Sequence, residues 1–300
     1  MKDGIDMNRY LLLIAFAVCA GLAFFQPLQA GLFDDRFPSA RITGMGGAGV
    51  ASANDVWAAY YNPAGLSRLQ SIQLASAYQR LFNLSFLKNY FAAGAYPLPG
   101  KYGALSLSFQ YFGVEYENEQ LSTEYTVALS HGFYLLKDIH SSLAVGYSLK
   151  IYHLNLGTSV EGRELGSATT VGIDVGLQAS VYRRTYVGVY FLNLNAPQIG
   201  AFTKHDLPQR IVAGIAYQPY DGVTTTLDVN RLIGGNETEF WGGAEFRVFD
   251  AILLRLGGTT NPNRFSFGVG LDVRGFNIDY GLRTHSELGE THSVGLMYRF

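Results

Sequence analysis

Val171-Gly172-Ile173-Asp174-Val175-Gly176-Leu177-Gln178 puts aliphatic side chains on one parity and Gly, Asp and Gln on the other. Successive residues of a strand point to opposite faces, so this run is a strand with one apolar face and one small or polar face. The pattern recurs along the chain. Leu105, Leu107, Phe109 and Tyr111 alternate with Ser106, Ser108 and Gln110, and Phe265, Phe267, Val269, Leu271 and Val273 alternate with Ser266, Gly268, Gly270, Asp272 and Arg274. In a soluble sandwich the polar face would meet water and carry Lys and Glu. Here it carries Gly, Ser and isolated charges, which suits a filled lumen, and the aromatic and aliphatic face suits lipid.

Outward from that stretch, alternating segments fall near 71–80, 89–97, 102–114, 123–135, 141–154, 168–182 and 185–194. They continue near 209–218, 222–231, 238–248, 251–259, 264–273, 275–284 and 291–300, which makes about 14 strands. Short connections at 98–101, 136–140, 183–184, 219–221, 249–250 and around Arg274 alternate with longer ones at 81–88, 115–122, 155–167, 195–208, 232–237, 260–263 and 285–290. Short turns on one rim and longer loops on the other describe an all-β, up-and-down transmembrane antiparallel barrel. The even count brings both ends of the barrel to the periplasmic side.

Composition agrees. Of 300 residues, 48% are hydrophobic and 15% charged, against about 25% charged in a typical soluble domain. The 35 Gly, 20 Tyr and 20 Phe suit bending strands and interfacial girdles. A net charge of −2 provides no basic field, so nucleic acid is excluded as a partner. Cys19 is the single cysteine, so the chain beyond it builds neither a disulfide nor a thiolate metal site.

Residues 1–30 read as a secretory signal: Lys2 and Arg9 precede an apolar run from Leu11 to Phe25, and Leu28-Gln29-Ala30 offers a small residue at the cut. The run is short for a membrane anchor, which needs about 20 residues. Val18 directly before Cys19 is bulky for a lipoprotein cut. The expected destination is the bacterial outer membrane, reached through the periplasm, with membrane lipid around the barrel. At the far end Val294, Leu296, Tyr298 and Phe300 share one face. Tyr298 and Phe300 resemble the closing aromatics by which outer-membrane proteins are recognised by the barrel-assembly machinery, an expected partner.

Residues 31–70 break the alternation. They hold Gly44-Met45-Gly46-Gly47-Ala48-Gly49 and then Tyr61-Asn62-Pro63-Ala64-Gly65-Leu66, a mixture of turns and short helices. Pro63 fixes its own φ and pushes Asn62 out of the α region. Placed before the first strand, the segment is expected to fold back into the barrel at 71–300 as a plug, with Gly44, Gly46, Gly47, Asn62, Pro63, Ala64 and Gly65 as its motif. Gly44-x-Gly46-x-x-Gly49 matches a dinucleotide fingerprint only in letters, since no strand precedes it and no βαβ unit follows.

This small-residue run with Asn62-Pro63-Ala64 resembles the N-terminal hatch of the FadL-like outer-membrane transporters. It is equally similar to the PorV/PorQ-type relatives associated with protein secretion. The first resemblance implies a channel passing fatty acids or hydrocarbons through a plugged barrel, with a hydrophobic small molecule as ligand. The second implies a secretion-system component or structural barrel with secretion-system proteins as partners. The chain is shorter than familiar FadL transporters, so the resemblance does not carry their long outer loops.

Inward-facing charges are the candidate working residues: Glu245, Arg247, Arg255, Asp272, Asp279 and Arg283 lie on the polar faces of consecutive strands. Two readings stand. Cross-strand pairing makes them a salt-bridge ladder filling the lumen, or an unpaired arginine, Arg255 foremost, holds a ligand carboxylate beside an apolar pocket. No His-Glu-x-x-His or Gly-x-Ser-x-Gly spacing occurs, so neither an enzymatic role nor a metal or other cofactor is expected.

Overall fold

The computed structural model describes residues 32–300 apart from 34–37, 118, 160–161 and 236–237. The segment read as an export signal, 1–30, lies outside the described residues. Fourteen antiparallel strands close into a barrel. The first seven are β1 Gln73–Arg80, β2 Leu87–Pro97, β3 Ala104–Tyr116, β4 Glu119–Lys137, β5 Ser141–Asn155, β6 Ser167–Val181 and β7 Thr185–Leu192. A separate ladder of two residues a side, β8 Gln198–Ile199 with β9 His205–Asp206, interrupts the series. The wall resumes with β10 Arg210–Tyr217, β11 Val223–Leu232, β12 Thr238–Phe249, β13 Ile252–Thr259, β14 Arg264–Val273, β15 Phe276–Arg283 and β16 Thr291–Arg299. Wall neighbours in sequence are neighbours in space, β7 pairs with β10, and β1 closes on β16.

The outward parity is apolar and exposed. Leu107 on β3, Leu129 on β4 and Leu149 on β5 sit directly across from one another, and each is about half exposed or more. Toward the long-loop rim a lateral row of rings, Tyr78, Tyr90, Tyr111, Tyr125 and His153, crosses five strands with centroids 5.2–6.2 Å apart. At the other rim Phe276, Tyr298 and Phe300 pack in a row with ring centroids 4.4 and 4.7 Å apart. An apolar band between two aromatic girdles is the outer surface of a barrel solvated by a bilayer, the bacterial outer membrane.

Two departures from the sequence reading have physical causes. Most of the stretch 115–122, read as a loop, is strand: β3 runs to Tyr116 and β4 starts at Glu119, with a bulge between Val114 and Glu115. These residues lie beyond the tyrosine row, where no lipid demands an apolar face and polar residues can still pair. The wall also steps down at β7 and β10, eight residues each beside the fifteen of β6. The upper edge of β6 is met instead by the 193–209 connection. Leu194 donates to the Ile173 carbonyl at 2.7 Å, while the Asn195 side chain accepts from Ile173 N at 2.9 Å and donates to the Val171 carbonyl at 2.8 Å. Ile199 and Leu207 then turn inward and are buried with Tyr152 and Leu154.

Residues 38–72 occupy the lumen. A short helix, Ala40–Gly44, is capped by Ser39 and packs on β13 to β16. A second, Ala58–Tyr61, leads through Asn62 into a 3₁₀ turn, Pro63–Arg68, against β3 to β6. Backbone of this kind can sit at membrane depth only where protein surrounds it.

Candidate functional site

The wall admits the inner segment because its inward parity carries glycine where the two backbones meet. Gly132, Gly146 and Gly176 are cross-strand neighbours on β4, β5 and β6. A Cβ on any of them would collide with Pro63, Ala64 or Asn62. Across the barrel Gly243 faces Met45, and Gly257 faces Gly46, in the same way. Gly46 itself has φ +70°, and a Cβ there would lie 2.6 Å from the Gly258 nitrogen. Gly47 also has positive φ, 90°. Gly44 and Gly268 approach each other closely, and Gly65 fits under the Ala53 carbonyl. Gly44 and Gly46 thus meet glycines of the wall, whereas Gly65 packs within the inner segment. The signal of the wall glycines was present in the sequence as Gly on the polar parity of successive strands.

Asn62 is the polar pin of this contact. Fully buried, it donates to the Val50 carbonyl at 2.8 Å and to the Leu177 carbonyl on β6 at 2.9 Å, and it accepts from Ala64 N at 3.1 Å. Pro63 has no N–H to leave unsatisfied, and Ala64 is small enough to lie on Gly146.

The structure brings Glu245, Arg255 and Asp279 together. Glu245 and Arg255 are direct cross-strand partners on β12 and β13. Arg255, 1% exposed, donates to Glu245 at 2.7 Å and to Asp279 at 2.7 Å. Arg41 of the inner helix completes the set, donating twice to Glu245 at 2.9 Å and lying 3.4 Å from Asp55. Arg255 is therefore consumed by two carboxylates and offers no fork to a ligand. Arg247 and Asp272 lie away from this network at the short-turn rim, where Arg299 donates to Asp272 at 2.8 Å and Arg247 is 3.6 Å from it. Arg283 is buried near the opposite, long-loop end of β15.

A second buried cluster escaped the sequence reading, although Asp174 and Lys150 both sit on inward parity. Lys150 is 2.6 Å from Asp174, whose two oxygens also accept from Tyr190 OH at 2.5 Å and Asn193 N at 2.9 Å. Asn193 in turn accepts from Tyr152 OH at 2.9 Å and donates to the Pro208 carbonyl at 2.8 Å. This chain of bonds ties the inward-folded 193–209 connection to the wall.

Between the two clusters lies a small, mainly apolar pocket. Tyr60 and Tyr61 of the inner segment face Tyr190, Leu192, Val212 and Trp241 of the wall across it. Asp228 lies at its edge. One carboxylate oxygen accepts from Gly49 N at 2.7 Å and Val50 N at 2.9 Å, while the other is buried with no hydrogen-bond partner among the described residues. The inner segment thus touches the wall through Arg41 on Glu245, Asp228 on Gly49 and Val50, Gln178 on Ala51 and Ala53, and Asn62 on Leu177, with an aromatic pocket among them.

Fold and lumen together define the class: an outer-membrane β-barrel whose interior holds its own N-terminal segment. Among solved structures the chain is similar to the toluene transporter TbuX of Ralstonia pickettii, at TM-score 0.63 and 14% identity over 90% of this chain and 100% of that one. It is similar to the toluene transporter TodX of Pseudomonas putida, at 0.60 and 14% over 89% and 98% of the two chains. A Pseudomonas aeruginosa FadL homologue follows at 0.59 and 12% over 89% and 99%. No family model and no curated protein sequence matches the chain. At these identities the likeness is one of fold.

Proposed function

We propose that this barrel passes small, uncharged hydrophobic molecules across the outer membrane, with residues 38–72 serving as its plug. One observation carries the reading: the aromatic pocket of Tyr60, Tyr61, Tyr190 and Trp241 lies between the inner segment and the wall. Movement of that segment would therefore change the pocket. Proteins described as toluene transporters and a monoaromatic hydrocarbon channel share the fold, which supports a ligand of that size and polarity. Asp228, with a carboxylate oxygen lacking a partner among the described residues, and Arg210, 3.9 Å from Glu239, line the same pocket with opposite charges, which suits an uncharged ligand. No bond is made or broken. Burial of apolar ligand surface draws the molecule in, at roughly 25 cal/mol per Å² removed from water. Displacing the inner segment or the 193–209 connection opposes that gain.

The test is uptake of radiolabelled toluene by cells producing the barrel at matched levels, against cells with the empty membrane. Uptake should rise with the barrel and fall when Trp241→Arg replaces an aromatic wall of the pocket by a second cation beside Arg210. Equal uptake with and without the barrel would end the transport reading.

A further inference from the structure

A second cavity of about 360 Å³ opens at the short-turn rim, under the 3₁₀ turn of the inner segment. Its walls carry Arg68, Lys137, His140 and Arg183 with the rings of Tyr134 and Tyr186; Asp138 is the one carboxylate residue lining it. The inner segment 38–72 has two cations, Arg41 and Arg68. Arg41 is matched by Glu245 and Asp55. Arg68 forms no ion pair among the described residues. Its guanidinium lies over the Tyr186 ring at 4.2 Å from the centroid, and Arg68 lines the cavity. Nearby, Lys137 packs on Tyr134 at 4.6 Å, and Arg183 uses its Nε on the Ile139 carbonyl at 2.6 Å.

We infer that this vestibule binds a small oxyanion, a carboxylate or phosphate, held on the fork of Arg68. A planar guanidinium matches two oxygens of such a group at once, and a half-buried cation with no carboxylate ion-paired to it gains most from one. The exposed Lys137, His140 and Arg183 attract the anion to the mouth but stay hydrated. The tyrosine walls accept a short apolar tail. Because Arg68 belongs to the inner segment and Tyr186 to β7, an occupied site couples the anion to the seating of that segment. Binding here does not require that the barrel transport anything.

The experiment is calorimetric titration of the purified full-length protein in zwitterionic detergent with hexanoate, hexan-1-ol and inorganic phosphate. Hexanoate should bind and hexan-1-ol should not. Arg68→Gln should weaken hexanoate by about tenfold or more, and Arg68→Lys by less, since the charge survives and the fork does not. The double variant Lys137→Gln, Arg183→Gln changes only exposed side chains and keeps the fold; it should weaken binding about threefold and flatten its salt dependence. Hexanoate tighter than phosphate assigns the site to the head group of an amphiphile, and equal affinities assign it to free oxyanions. Hexanoate affinity unchanged in Arg68→Gln would overturn the proposal, as would equal binding of hexanoate and hexan-1-ol. Toluene uptake is read separately, so failure of either claim leaves the other standing.

Discussion

At the scale of the residue, Asn62 holds the inner segment with its amide oxygen and both donated bonds in use. Asn62→Ala removes two donated bonds and one accepted bond from a site with no exposure. Leaving buried carbonyls unsatisfied costs roughly 1–3 kcal/mol each. That is small against a closed ladder and large for a segment held by a few such contacts. The variant should retain the heat-modifiable mobility of the folded barrel while admitting a small polar dye faster than wild type. Unchanged dye influx would show that Asn62 does not govern the seal. Arg255→Met makes a larger demand, because Asp279 loses its cation in a buried place while Glu245 keeps only Arg41. Breaking a buried pair from one side costs roughly 3–5 kcal/mol. Urea unfolding in phospholipid vesicles should register that loss, and adding Asp279→Asn should recover part of it. A double variant no more stable than Arg255→Met would mean the arginine acts through packing alone.

At the scale of the element, glycines on β4, β5 and β6 decide whether wall and inner segment can meet. Gly146→Val places a branched side chain where the Pro63–Ala64 backbone runs. Strands tolerate valine well, so the barrel should still form with its inner segment displaced. Limited proteolysis should then cut within 38–72, where wild type resists. Gly242→Ala is the matched control, since a Cβ there finds its nearest atom at 3.7 Å. Equal protease resistance of Gly146→Val and wild type would mean the contact yields. The loop 284–290 adds a pH-dependent element. His285 Nδ1 accepts from Glu287 N at 3.2 Å and Leu288 N at 3.1 Å, and the ring packs edge-on to Phe82 at 5.2 Å. Burial foremost, then the charges of Arg264 and Arg283, hold its pKa below the ordinary 6.5. Because the folded value lies below the unfolded one, the neutral ring stabilises the loop above pH 6.5, and that contribution is lost as pH falls through 6.5 toward the lower value. The Glu287 and Leu288 amides should exchange faster below that point than intrinsic chemistry allows, and His285→Phe should abolish the pH step. Exchange that follows intrinsic chemistry throughout would remove His285 from the loop's stability.

At the scale of the whole molecule, the barrel was legible wherever lipid imposes alternation, and strand limits drifted where lipid ends. Leu107, Leu129 and Leu149 announce their strands, whereas Glu119 and Gln120, beyond the tyrosine row, read as loop and are strand. Glu245, Arg255 and Asp279 could be picked out as inward charges. Their partner Arg41 could not, because the inner segment has no periodicity to say which way a side chain points. The two-residue ladder of β8 and β9 is too short to leave any period at all. The remaining test asks whether the outer face behaves as a membrane surface by depth. Val269 lies midway along β14 and Phe265 near its long-loop end, both on outward parity. An arginine at the bilayer midplane of a barrel costs roughly 2–4 kcal/mol, falling to about 0–1 near the interface. Reversible unfolding in phospholipid vesicles should therefore find Val269→Arg far more costly than Phe265→Arg, even though Phe265 is the larger apolar side chain and a soluble protein would show no such gradient. Should the two losses come out equal, β14 is not crossing a bilayer, and the outward leucines, tyrosines and phenylalanines of its neighbours would need some other cover.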